Sequence, residues 1–334
     1  MSINAVIMIF FLSYGLYAFY NNFKFWLIYI ISIILYYITT SFIFHTHRQT
    51  NISNKINHTS WSNNYDPQTY TTIKLDITKI IPYLKKKSEE IKVHLTPTIY
   101  AVKLMSIILK KYPEVYGYIK FGRYDTKEGV DICCLVEVGD GKELANTTIT
   151  NCETKNFVEI TNELNSSVKL LRERKNKDQN FKMKIFKYIP TYFSGPFTQV
   201  FSYLSSIGLR IDALGLKRFE FGSCVITSLG KLDIDNSFAP IPPLTFAPIL
   251  LTLCSKYNVN KRDEEGNIET KTYLRMNFTS DYRFFEPKTV AALMKDIHVI
   301  GEDPVKFENE SKKYEKNKYD SINDNNENKK IFNE

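Results

Sequence analysis

Along the central part of the chain the apolar positions change period several times. "TYTTIKLDI" (Thr69–Ile77) alternates polar and apolar as a half-buried strand does. Thr78 then opens a short helix running towards Glu90, with Pro82 close enough to its start to be tolerated. Thr96-Pro97 is a helix opening with proline at the first position. That helix carries Ile99, Val102, Met105, Ile108 and Leu109 on one face and stops before Pro113. "VDICCLVEV" (Val130–Val138) predicts a strand buried on both faces. Ile160, Leu164, Val168 and Leu171 recur at helical spacing, so residues 156 to about 174 read as an amphipathic helix. "SCVITSLG", "FAPILLTLC" and "YLRMNFTSD" predict three more strands, and a helix follows from Pro287 to Ile297. Interleaved strands and helices with non-local pairing predict an α+β fold, an α/β sandwich with a mixed sheet and flanking helices.

The ends of the chain read differently. Ile3 to Tyr20 carries no charge, and neither does Phe25 to Phe44. The second stretch reaches the roughly 20 residues that cross a bilayer core, and the first is at the short end of that range. Only Asn21, Asn22, Phe23 and Lys24 separate them, enough for a tight turn, so residues 1–45 read as a transmembrane helical hairpin. A single span at Phe25–Phe44 with an interfacial first helix is the alternative. A cleaved signal peptide does not fit, because there is no basic start and no small-x-small site. Arg48, Lys55 and the basic domain put that side inside, in the cytoplasm or a mitochondrial matrix. Residues 46–65 are a polar linker, residues 66–307 the folded domain, and residues 308–334 a tail whose mixed charge and Asn runs predict disorder.

Composition adds little beyond this. The net charge is +8, but no recognisable nucleic-acid-binding module accompanies it. Five cysteines form no Cys-x-x-Cys pair, which favours a reducing compartment and no structural zinc. Between residues 169 and 201 a basic run (Lys169, Arg172, Arg174, Lys175, Lys177, Lys182, Lys184, Lys187) meets Phe181, Phe186, Tyr188, Tyr192, Phe193, Phe197 and Phe201. That pattern suits an anionic membrane surface. An extra helical layer with a solvated basic face explains it equally well.

The chemistry-bearing pieces come in a fixed order: "KLDIT", a helix ending in "KKYPEV", a strand, an amphipathic helix, "ITSLG", "LTFAPILLTL" and a last strand ending in "DYRFFEP". This order resembles the catalytic domain of the acyltransferase component of 2-oxo-acid dehydrogenase complexes, which shares its fold with chloramphenicol acetyltransferase. The resemblance implies acyl transfer between coenzyme A and a second nucleophile. It implies a closing Asp-His-Arg-x-x-Asp-Gly motif whose histidine takes the acceptor's proton, and a hydroxyl from the Ser-Leu-Gly strand that steadies the oxyanion. It also implies active sites in channels between the subunits of a trimer. Carried onto this chain, Asp281 and Arg283 match, Tyr282 stands where the histidine belongs, Glu286 replaces the second Asp, and Pro287 replaces the Gly. Thr227 and Ser228 are the candidate oxyanion hydroxyls. Lipoyl and subunit-binding domains, which precede the family's catalytic domain, are replaced by the apolar hairpin, and about forty residues (178–220) read as an insertion.

A histidine, titrating at about 6.5, suits a general base at neutral pH, whereas a tyrosine side chain, at about 10, is nearly all protonated there. Neighbours on a strand point to opposite faces, so Arg283 is not placed to help Tyr282. His94 and His298 read as surface or capping residues, and Cys133, Cys134 and Cys224 as small hydrophobes in apolar strands. His45 and His47 are too few for a metal site. The leading expectation is therefore a membrane-anchored pseudoenzyme, an acyltransferase-like scaffold or assembly subunit that forms a homotrimer or joins a membrane protein complex. The alternatives are an active coenzyme-A-dependent acyltransferase using Tyr282, Thr227 and Ser228, and a module that binds coenzyme A or an acyl thioester without reacting. No cofactor is required by the first reading.

Overall fold

The computed structural model describes residues 68–120, 123–138, 143–173, 200–210, 217–241, 245–262 and 267–315, with short helical pieces at 13–15, 17, 27–32 and 35. Strand β1 (Gln68–Asp76) is followed by α1 (Ile80–Ile91), α2 (Pro97–Lys111), β2 (Tyr118–Lys120), β3 (Arg123–Asp125), β4 (Ile132–Val138) and β5 (Glu143–Ile149). Then come α3 (Phe157–Arg172), β6 (Cys224–Ser228), β7 (Ile249–Arg262), β8 (Ile268–Asp281) and α4 (Pro287–Gly301). Residues 304–315 form a last helix, α5. The large sheet has the order β1-β8-β7-β6-β4-β5. Its centre, β4-β6-β7, is parallel, and the pairs at its flanks are antiparallel. It is a mixed sheet, as the interleaved pattern predicts.

Local chemistry sets the helix starts. The Thr96 side chain accepts a hydrogen bond from the Ile99 backbone N–H, with Pro97 at the first position. Asn156 and Glu159 close a reciprocal capping box at the start of α3. Pro287 occupies the first turn of α4, where its missing N–H costs nothing.

One sheet face buries Ile73, Leu75, Ile132, Ile226, Leu251 and Phe278 beneath the helices. The five-residue face predicted for α2 is too narrow: every residue from Ile99 to Leu109 is buried, including Lys103, because α3 and α4 pack against it as well as the sheet. Lys103 is tolerated because its amine donates to the Glu153 and Lys155 carbonyls at 3.0 and 2.6 Å and pairs with Glu315 at 3.1 Å.

The other face is shorter and more polar. Cys133, Val225, Leu250, Ala247 and Ile241 form a small apolar cluster there. Beside it the segment 234–241 runs along β8, held by Arg275 to the Asp235 carbonyl (2.8 Å), Asn277 to the Ser237 carbonyl (2.7 Å) and Thr279 to the Ala239 carbonyl (2.8 Å).

Order extends past residue 307, where the composition predicts a disordered tail. Phe307 is fully buried against Tyr100 and Phe157, and Glu308, Glu310 and Glu315 pair with Lys87, Lys111 and Lys103. Phe307, the partly buried Tyr314 and three ion pairs hold a helix that is polar along most of its length. Most of the predicted membrane hairpin, the linker, most of the 178–220 insertion and most of the basic-aromatic run 169–201 lie outside the described residues. Among the described residues no helix is long and apolar enough to cross a membrane.

Candidate active site

Asp281 is the last residue of β8, and its backbone N–H donates to the Pro248 carbonyl at 2.9 Å. The chain turns there, with the Phe284 N–H donating back to the Asp281 carbonyl at 3.0 Å. Phe284 and Phe285 drive the turn into the core, edge-on to Tyr124 and Phe278. Glu286 and Pro287 then start α4. Proline in place of the motif glycine thus serves the helix start. Glu286 sits at the N-cap with no hydrogen bond from its side chain to the helix end.

The Asp281 carboxylate accepts from the Arg283 backbone N–H at 2.9 Å, from its Nε at 3.0 Å to each oxygen, and from its Nη2. Both side chains are largely buried. A fork-on-carboxylate pair is a strong, orienting contact. Arg283, the cation next to Tyr282, is therefore engaged by Asp281. Tyr282, between them, is partly exposed.

The candidate hydroxyls separate. Thr227 is buried on the polar face, while Ser228 points the other way and is exposed. Sequence treats them as a pair; the pleat distinguishes them, and only Thr227 lies in a shielded environment. Thr227 is in register with Thr252, and Thr252 with Asn277, four residues before Asp281. Two strand spacings and four residues of rise put Thr227 and Asp281 about 17 Å apart. Tyr282 and Thr227 of one chain therefore do not meet.

Sequence reading passes over the rest of that row. Thr227, Thr252, Asn277 and Thr72 lie side by side across β6, β7, β8 and β1. Thr72 donates to Asn277 Oδ1 at 2.9 Å, and Asn277 Nδ2 donates to Asn236 and Ser237. The Thr252 hydroxyl, fully buried, has no hydrogen-bond partner among the described residues. Only its register beside "ITSLG" could have flagged it, and register is not visible in one sequence.

The other candidates fall elsewhere. His94 is exposed after α1, and His298 Nδ1 lies 2.8 Å from Glu302 on α4. Cys133, Cys134 and Cys224 are free and buried, and burial pushes each thiol up, that of Cys133 to about 12. Among the described residues no group of three His, Cys, Asp or Glu side chains is placed to hold a metal.

A six-stranded mixed sheet under helices, ending in a buried Asp-x-Arg clamp, is an architecture shared with the catalytic cores of acyltransferases. A family profile described as 2-oxoacid dehydrogenases acyltransferase (catalytic domain) matches residues 45–187. The chain resembles that family. A curated relative is the dihydrolipoyllysine-residue succinyltransferase component of the 2-oxoglutarate dehydrogenase complex of Staphylococcus saprophyticus. It is 34% identical over 106 residues, 30% of this chain and 24% of that one, so the match spans about a quarter of the relative's length. Two solved structures share the fold. A dihydrolipoamide acetyltransferase of Azotobacter vinelandii, in whose catalytic mechanism a serine, a histidine and an asparagine have been probed, has a TM-score of 0.51 at 17% identity, covering 78% of this chain and 94% of that one. A truncated catalytic core of the 2-oxoacid dehydrogenase multienzyme complex of Thermoplasma acidophilum has a TM-score of 0.50 at 18% identity, covering 77% and 97%.

Proposed function

We propose that this chain is a subunit of a homomeric assembly built on the acyltransferase fold, in which the base needed for acyl transfer has been lost. The separation of Thr227 from Tyr282 carries the reading. The two halves of the site lie about 17 Å apart in one chain, so a site that uses both takes them from two copies. In the Azotobacter enzyme the probed histidine and asparagine are four residues apart, as Tyr282 and Glu286 are here. On this reading a phenol and a carboxylate take the positions of an imidazole and an amide. The phenol is a hydrogen-bond donor at neutral pH and a poor acceptor of the proton of an attacking thiol. Its neighbouring cation is held by Asp281.

What survives is the frame: the Asp281–Arg283 clamp, the aromatic turn behind it, and the shielded Thr227 hydroxyl. Such a frame suits an assembly role and a pocket that still takes coenzyme A or an acyl thioester. Sedimentation velocity of the full chain in detergent tests the assembly: trimers or larger are expected, and a monomer at micromolar concentration would overturn it.

The uncharged stretches Ile3–Tyr20 and Phe25–Phe44 support a membrane anchor, with the folded domain on the cytoplasmic or matrix side. Release of the chain from membranes by alkaline carbonate would remove the anchor from this proposal.

A further inference from the structure

We propose that Thr252 is a positioning residue for Thr227, donating to its hydroxyl so that the Thr227 proton meets the carbonyl oxygen of an acyl thioester. The inference rests on the reading of the chain as an acyltransferase fold with Thr227 at the oxyanion position. It adds a residue that the motif does not contain.

The polar row across the sheet supplies the argument. At its β1 end every group is satisfied: Thr72 donates to Asn277, whose amide nitrogen donates to Asn236 and to the Ser237 carbonyl. At its β6 end the pattern breaks, because Thr252 Oγ1 has no partner among the described residues although the residue is wholly buried. Buried hydroxyls are nearly always paired, so an orphan beside a candidate ligand site points to a group that arrives with the ligand or turns with it. Thr252 and Thr227 are register partners on adjacent parallel strands, with side chains on one face about 5 Å apart at the backbone. On this proposal a rotation about χ1 takes their hydroxyls into hydrogen-bond distance.

The direction of the bonds follows from exposure. Thr227 keeps 9% of its surface, while Thr252 keeps none, so Thr227 faces the ligand and Thr252 stands behind it. Thr252 Oγ–H donates to Thr227 Oγ, which leaves the Thr227 proton free to point at the carbonyl oxygen. A donor that is itself receiving a hydrogen bond is the stronger donor. On the other side of Thr252, the Asn277 amide nitrogen donates to Asn236 and Ser237 and its oxygen already accepts from Thr72, so on this proposal the Thr252 proton is directed towards Thr227.

Two unreactive coenzyme A derivatives test this on the full chain in detergent. S-acetonyl coenzyme A keeps a carbonyl near the thioester position; S-propyl coenzyme A lacks it. Calorimetry is expected to show the acetonyl derivative bound about tenfold more tightly, the scale of one net hydrogen bond. Thr252→Val should reduce that preference to less than twofold with the melting temperature held or raised, and Thr252→Ser should keep it. Equal affinity for the two derivatives, a preference unchanged in Thr252→Val, or loss in Thr252→Ser as well would overturn the proposal. Binding of neither derivative would also overturn it while leaving the assembly reading intact. Acyl transfer by the native chain would sink the claim of a lost base without touching the hydroxyl pair.

Discussion

Asp281 and Arg283, two residues apart at the end of β8, are locked together, with Arg283 Nε 3.0 Å from each carboxylate oxygen. The clamp fixes the turn that leads into α4, and it does so whether or not the residue between them is a base. Its presence therefore does not depend on the chemistry of Tyr282.

Breaking the clamp from one side leaves a carboxylate in a nearly dry site. Arg283→Ala is expected to cost roughly 3–5 kcal/mol, the range for orphaning one partner of a buried ion pair. Arg283→Lys should lose less but not nothing, since an ammonium cannot form the fork. Urea unfolding of the three proteins checks both statements; a loss within about 0.5 kcal/mol for the alanine variant, as for an ordinary surface change, would contradict them.

The C-terminal helix makes a second, independent prediction. Phe307 is fully buried between Tyr100 and Phe157, so Phe307→Ala should cost about 3–5 kcal/mol. Truncation before residue 304 removes that ring and also leaves the Lys103 ammonium without Glu315. The truncated chain is expected to melt well below the native one, and equal melting temperatures would show that the helix is ornamental.

All five cysteines are free and buried. Burial pushes Cys133 and Cys152 up to about 12, and raises Cys134 and Cys224 in the same direction. Because the thiolate is the reactive form, at pH 8 only about one thiol in ten thousand at such a site is ionised. Raising the pH from 7 to 9 should leave the four thiols slow towards Ellman's reagent, and denaturant should release all of them. Rapid labelling of any of the four in the native protein would contradict the packing.

Much of the fold was legible in sequence because its signals are local. Thr96-Pro97, the apolar repeat Ile160-Leu164-Val168-Leu171 and the final Pro287 each mark an element that the structure contains. The edge strand β5, "ELANTTI", was not legible, since an edge strand with polar positions lacks a clean alternation. The full burial of α2 was hidden by Lys103, a charge that reads as surface until its carbonyl partners are seen. Helix α5 reads as disordered tail because its few apolar anchors, Phe307 and Tyr314, stand among charged residues and several of its contacts are ion pairs with distant lysines. At the site, residue types were readable and geometry was not. Thr227 and Ser228 look equivalent until the pleat separates them, and Thr252 carries no motif at all.

The central claim concerns Tyr282. Transfer of an acetyl group from acetyl coenzyme A to dihydrolipoamide should be measured for the native chain, Tyr282→Phe and Tyr282→His, at equal protein concentration and pH 7.5. The account predicts that the native and phenylalanine proteins do not exceed the uncatalysed thioester exchange, and that any gain belongs to the histidine variant. Robust transfer by the native chain that disappears in Tyr282→Phe would contradict it.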